Sequence, residues 1–327
     1  MLPVAVDAMG GDDAPGPILE GAHSAHADGI PVLLVGPPDL DGRTTDDGDE
    51  LELIEASEVI GMHDDPASGV RRKKDSTLVR AAEAVRDDRA GAMISAGNTG
   101  ATMAAALLRM GRIRGVKRPA IAIPVPVPGT TPTILLDAGA NTDVQPDWLV
   151  QFGQMGSVYA HHRFDISRPR VGLLSIGEEE TKGDALRKET HALLAATPGI
   201  DFIGNVEGRD IMSDAVDVCV TDGFTGNVVL KTLEGAMRSV ISALLEAFSP
   251  PELKEHADAL MPSLLPLYSA LNPDTYGGAI LLGVDGVCTI AHGSSGPEAV
   301  KNGITLASDM SEIGLTEAIR AEIATDD

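Results

Sequence analysis

A chain of 327 residues with 43% hydrophobic but only 3% aromatic content can bury a large core of Val, Ile, Leu, Ala and Met, the composition of helices packed on a parallel sheet. Its net charge of −24 excludes a surface that binds nucleic acid or anionic lipid indiscriminately, and the same acidity suits a salt-adapted protein kept hydrated by carboxylates. No charged leader with a long apolar core opens the chain and no apolar run reaches membrane-spanning length, so a soluble, cytoplasmic protein with reduced, buried Cys219 and Cys288 is expected.

In chain order, Val4–Ala8 reads as a short buried strand that runs into Asp7-Ala8-Met9-Gly10-Gly11-Asp12. A helix follows over 18–27, then a strand at Pro31–Val35. Pro37–Glu58, rich in Asp, Gly and Glu, predicts a loop with a short surface helix, and a short strand falls within 54–60. The segment 62–75 reads as a loop carrying Arg71, Arg72, Lys73 and Lys74. Leu78, Val79, Ala82 and Val85 then recur at helical spacing over 76–87. The apolar run Ala92–Ile94 leads into Ser95-Ala-Gly97-Asn98-Thr99-Gly100 and an Ala/Leu-rich helix.

The prolines of 119–128 predict an edge strand or a crossing segment. Further strands are expected at 133–137, 170–176, 202–206, 216–221 and 287–291, with helices at 148–160, 185–196, 228–248 and 298–313. Between 250 and 271, Leu253, Ala257, Leu260, Met261, Leu264, Leu265, Leu267, Tyr268 and Leu271 form an apolar stripe broken by Pro262 and Pro266. That pattern predicts two short helices joined by an elbow. The alternation of strand, glycine turn and helix, without a repeat or a linker, is the pattern of one doubly wound α/β domain over 1–327. In such folds the strand C-termini share a crevice, so distant turns are expected to meet there.

A strand, a glycine turn and a helix start together aim unpaired backbone N–H groups at an anion. Gly97 and Gly100, with Asn98 and Thr99 as side-chain donors, fit that use. They fit equally a tight turn in which Asn98 or Thr99 caps the helix and nothing binds. Of the 25 Lys and Arg, 12 lie in 71–118, in two runs: 71–74, and Arg109, Arg112, Arg114, Lys117 and Arg118. A basic island on an acidic body selects an acidic partner, although a solvated face is the commoner meaning of a charge run.

Taken together the turns resemble those of the phosphate acyltransferases of bacterial phospholipid synthesis. Asp7–Asp12, Ser95–Ala101, Leu136-Asp137-Ala138-Gly139-Ala140-Asn141, Ile176–Gly183, Asp222–Lys231 with Glu234-Gly235, Tyr276-Gly277-Gly278 and His292–Ser295 match in the family's order over nearly the whole chain. Ser175 and Asp184 depart from it, standing where asparagine is expected. The resemblance implies a doubly wound, mostly parallel α/β sheet similar to those of isopropylmalate dehydrogenases and phosphotransacetylases, with a helical extension near 236–275 that pairs subunits and touches membrane. It implies acyl transfer from acyl carrier protein to inorganic phosphate by a homodimer with no metal or other cofactor. The acyl phosphate would feed a membrane glycerol-phosphate acyltransferase, which leaves open a peripheral place at the inner face of the plasma membrane.

Carried onto these residues, the resemblance makes Lys182 the phosphate or oxyanion clamp and Asn227 an orienting donor. His292 is a candidate donor to phosphate or to the leaving thiolate. Phosphate and substrate contacts are expected from Asp7, Gly10, Gly11, Gly97, Asn98, Thr99, Gly100, Asp137, Asn141, Thr225, Gly226, Gly293, Ser294 and Ser295. Carrier docking is expected from Arg71, Arg72, Lys73, Lys74, Arg112 and Arg114. Bland readings stand beside these: Lys182 paired with Glu178–Glu180, Asn227 as a helix cap, His292 as a structural donor. The rival functions are a phosphotransacetylase acting on acyl-CoA, a nicotinamide-dependent dehydrogenase, and a scaffold that binds carrier protein at a membrane without catalysis. The dehydrogenase is the poorer fit, because the opening Gly-Gly-Asp is no dinucleotide-binding turn.

Overall fold

The computed structural model describes residues 1–271 and 273–324. Its first half contains β1 (Val4–Asp7), α1 (Gly16–Ala27), β2 (Val32–Gly36), β3 (Glu52–Glu55), α2 (Pro66–Arg72), α3 (Thr77–Arg86), β4 (Ala92–Ser95), α4 (Thr99–Ala105) and β5 (Ala120–Val125). Then come β6 (Thr133–Leu136), α5 (Pro146–Phe164), β7 (Arg170–Leu174), α6 (Ala185–Ala196), β8 (Asp201–Val206), β9 (Val218–Val220) and α7 (Gly223–Ala247). The last elements are α8 (Lys254–Leu271), β10 (Ala279–Leu282), β11 (Val287–Ile290), α9 (Pro297–Glu312) and α10 (Leu315–Ala324).

All eleven strands form one sheet in the order β3-β2-β1-β4-β11-β10-β5-β6-β9-β7-β8. The pairings are parallel except β11–β10, β10–β5 and β5–β6. Successive residues of a strand point to opposite faces, and the core divides accordingly. Val4 and Val6, Ile134 and Leu136 pack into one layer with Phe152, Met155 and Tyr159 of α5 and Ile304 and Met310 of α9. Ala5 and Leu135 pack into the other with Leu78 and Val79 of α3, Ala101 and Ala105 of α4, and Leu230 of α7. Cys219 and Cys288 are wholly buried, which pushes both thiols up to about 12 and leaves them inert.

Three antiparallel pairings at the centre have a topological consequence. Strands β3, β2, β1, β4 and β11 run one way, and β6, β9, β7 and β8 run the other. The C-terminal ends of the two half-sheets therefore lie at opposite edges, so the turns gather in two groups, although Thr99, Ala138, Asn227 and His292 from both groups still line one cavity. The mostly parallel, doubly wound sheet itself is as expected.

Local differences have local causes. Within the segment 119–128, Ala120–Val125 is the interior strand β5 and no edge. Its pairing with β10 covers only Ala120–Ala122, so the N–H missing at Pro124 faces a side where the ladder has ended. Arg71 and Arg72 lie at the end of α2, started by Asp65 accepting from Ser68 N, where a loop was expected. Among the described residues 37–58 contains no helix; it holds β3 and a Thr44–Glu50 bridge. Helix α7 begins five residues before 228 because Asp222 caps it. Strand β10 and helix α10 are elements beyond those expected from the sequence.

The two helices expected over 250–271 are one, α8, running past Pro262 and Pro266. Prolines four apart remove hydrogen bonds from the same side of a helix, so it can bend there without breaking. The side chains of Leu265, Leu267, Tyr268 and Leu271, the distal part of the expected stripe, lie outside the described residues. Beyond Leu230 most of α7 is exposed, including Val240, Leu244 and Leu245, and with α8 it forms the expected helical extension. No helix among the described residues is long and apolar enough to cross a membrane.

Candidate active site

At the C-terminal edge of β1 and β4 the predicted residues are tied to one another. Ser95 Oγ donates to Asp7 Oδ2 at 2.7 Å and accepts from Gly97 N at 3.0 Å, and Met9 N donates to Asp7 Oδ1 at 3.3 Å. Burial pushes the Asp7 carboxyl above its ordinary value, against hydrogen bonds from Thr77 and Ser95. A Cβ on Gly10 would lie 2.7 Å from both Asp7 Oδ2 and Ser95 Oγ, so only glycine lets this turn close. The Gly10–Asp12 turn is fastened to the last loop by Asp12 N donating to Gly293 O at 2.8 Å, beside Gly11, and Ser295 N closes that loop on His292 O at 3.0 Å, around Ser294. Asn98 caps α4 through Ala101 N at 3.0 Å, and its Nδ2 donates to Met62 O at 3.0 Å and Asp64 O at 3.2 Å. The helix cap is thus what Asn98 does here, and Gly100 packs on Pro66.

The opposite edge is closed in the same way. Asp137 Oδ1 accepts from the N–H groups of Ile121, Gly139 and Ala140, and Oδ2 from the N–H and Nδ2 of Asn141, at 2.7–3.1 Å. Burial still holds this carboxyl above its ordinary value. A Cβ on Gly226 would overlap the Asp137 carbonyl oxygen, so glycine is what allows α7 to dock on this loop. Asp222 accepts from Thr225 N and Oγ1, both at 2.8 Å, and pairs with Arg187; Arg187 also pairs with Asp184, the cap of α6. Burial works against the charge on Asp222, but Thr225 and Arg187 outweigh it and hold the carboxyl below its ordinary value. Lys182 stands exposed on the loop between β7 and α6, its N–H on Glu179 O at 2.9 Å, and Asn205 Nδ2 pins the same carbonyl at 2.8 Å.

What links the two edges is α7. It starts beside Asp137 and Asn141, passes Asn227 over Gly139, buries Leu230, and brings Glu234 to His292. Between it and α4 lies a narrow slot. Thr99, Asn227, Lys231, Glu234 and His292 form its polar rim, and Ile121 and Ile123 of β5, Ala279 of β10 and Ile290 of β11 contribute its apolar lining. Adjacent antiparallel strands need only short connections, without the covering helix that a parallel crossover supplies. This part of the sheet is accordingly left open on the α4/α7 face.

Of the expected catalytic residues, Asn227 and His292 therefore meet, with Thr99, at one cavity; Lys182 is not among the residues lining it. Lys231 and Glu234 were not singled out as site residues. Their spacing from Asn227, four and seven positions, is the face signal that finds them. The two basic runs do not adjoin. Lys74 lies just before Thr77, which hydrogen-bonds Asp7 at one edge, whereas Arg112 and Arg114 follow the far end of α4, where Ile113 N meets Gly283 O. Lys73 is paired with Asp64 at 2.6 Å, and Arg118 stacks on Trp148.

An eleven-stranded mixed sheet sandwiched by helices, with a slot over its antiparallel centre, defines an α/β protein of the phosphotransacetylase-like fold. A phosphotransacetylase from Streptococcus pyogenes superposes with a TM-score of 0.63 over 95% of this chain and 94% of its own, at 15% identity. Residues 2–318 match the family model described as fatty acid synthesis protein. Curated phosphate acyltransferases are similar throughout: that of Pelotomaculum thermopropionicum is 46% identical over 98% of this chain and 95% of its own, and that of Bacillus subtilis 42% over 98% and 97%. The chain belongs to this phosphate acyltransferase family of enzymes.

Proposed function

We propose that this enzyme transfers a fatty acyl group from the thioester of acyl carrier protein to inorganic phosphate. A phosphate oxygen attacks the carbonyl carbon, the tetrahedral oxyanion collapses, the C–S bond breaks, and the carrier leaves as a thiolate that takes up a proton. Phosphate is already nucleophilic at neutral pH, so the protein's work is to hold it, orient it and stabilise the oxyanion. The observation that carries this reading is the slot. Hydrogen-bond donors from Thr99, Asn227 and His292 meet at a rim above an apolar lining, which suits an acyl group whose reacting end is polar.

In this reading Asn227 orients phosphate or oxyanion, His292 is the candidate proton donor to the thiolate, and Lys182, exposed on the loop between β7 and α6, is the phosphate or oxyanion clamp. The acidic carrier docks on Arg71, Arg72 and Lys74, which are exposed at and just after the end of α2. The α7–α8 extension, with Val240, Leu244, Leu245, Leu253 and Leu260 exposed, is the surface for a second copy of the chain and for the membrane that holds the acyl-phosphate-consuming enzyme.

The test incubates the enzyme with palmitoyl-carrier protein and phosphate and follows hydroxylamine-sensitive acyl phosphate. Product is expected from wild type and is largely lost in Lys182→Ala. Reversing Arg71, Arg72 and Lys74 to Glu raises KM for the carrier thioester and leaves that for phosphate unchanged. Product from acyl-CoA but not from the carrier would assign the donor to CoA, and product from neither would overturn acyl transfer to phosphate.

A further inference from the structure

We infer that Lys231 is the anion-binding cation that lines the slot and that Glu234 is the positioning residue that aims Lys231 and His292 into it. Asn227, Lys231 and Glu234 form one stripe of α7, at i, i+4 and i+7, and all three line the cavity with His292 and Thr99. Lys231 Nζ donates to Glu234 Oε2 at 3.0 Å and Oε1 at 3.2 Å. His292 Nε2, carried by the loop after β11, stands 3.8 Å from the same Oε1.

A Lys–Glu pair three residues apart is commonplace on a helix and by itself says little. This one differs in two ways. A third group from a remote part of the chain converges on the same carboxylate, and the Glu234 side chain is only 20% exposed where the Lys231 side chain is 52% exposed. A fixed carboxylate at the rim of a slot that receives a dianion is repulsive unless its charge is already matched, and Lys231 matches it. An ammonium has three donors. The two oxygens of Glu234 take two of them at most, so at least one remains for an arriving phosphate, and its direction is set by the bonds to Glu234.

This inference rests on the acyl-transfer reading above and deepens it. The experiment measures steady-state kinetics against inorganic phosphate and against the acyl thioester, alongside calorimetric titration of the enzyme with inorganic phosphate alone. Lys231→Met is expected to raise KM for phosphate about tenfold or more, the loss of one charge-assisted contact, without changing KM for the thioester. Lys231→Arg, which keeps the charge, stays within about threefold of wild type. Glu234→Gln lowers kcat about tenfold while KM for phosphate does not rise, because Lys231 keeps its charge, now unshared with a carboxylate, but the cations have lost their guide. Unchanged phosphate binding and KM in Lys231→Met would overturn the assignment of Lys231, and wild-type kinetics in Glu234→Gln would overturn that of Glu234. If the wild type makes no acyl phosphate, the functional reading has failed by itself, and the phosphate titration, which needs no turnover, still decides for or against Lys231.

Discussion

The glycine turns and the α4/α7 slot are both rich in polar residues, but they use them in opposite ways. In the turns the buried carboxylates and the Asn98 amide are engaged by their own or a neighbouring loop: Asp7 by Ser95, Asn98 by Ala101, Met62 and Asp64, Asp137 by five donors. In the slot, Thr99, Asn227 and His292 are exposed side chains above apolar strands. A polar residue in a tight turn is therefore better read first as the turn's own scaffold. The residues left to meet a substrate are those, on helix flank or loop, that face the gap beside α7.

Three substitutions test that contrast. Asp137→Ala strips five hydrogen bonds from a wholly buried carboxylate and leaves four main-chain N–H groups without it; urea unfolding should register a loss of about 3–5 kcal/mol. A loss below about 1 kcal/mol would mean that the loop is not the scaffold described. Asn227→Ala should do the reverse, lowering kcat/KM about 10–100-fold while Tm moves by less than about 2 °C. A large fall in Tm would return Asn227 to the structural class.

The smallest effect is on acid stability. The Asp222 carboxyl is held below its ordinary 3.8, so the folded state favours the ionised form. Its contribution is complete above that value and disappears as pH falls through and below it. Asp222→Asn should therefore flatten the dependence of unfolding free energy on pH below about 4. Asp7 and Asp137 have the opposite sign: burial raises them, so each favours the fold less as pH climbs above 3.8.

Much of the architecture was legible because apolar strands buried on both faces, such as Val4–Asp7 and Val32–Gly36, are short uninterrupted runs, and because Ser76 and Asn98 mark helix starts. Strand direction was not legible. The reversal of β10 and β5 is a pairing between segments some 160 residues apart, and nothing in Ala120–Val125 records which neighbour it will meet. The site was readable in part for the same reason. Asn227 and His292 stand in recognisable turns, whereas Lys231 and Glu234 sit inside a helix, where only the placement of α7 across the sheet gives their face a meaning.

That helix is also a lever. At about 1.5 Å of rise per residue, Leu245 lies roughly 22 Å beyond the buried Leu230, and Asn227 roughly 4.5 Å before it. Rocking the outer end by 1 Å about that fulcrum displaces the inner end by only about 0.2 Å, whereas a twist about the long axis reaches it undiminished. Whatever grips the protruding end can sway it and hardly disturb the chemistry; to reach the reacting centre it has to turn the shaft.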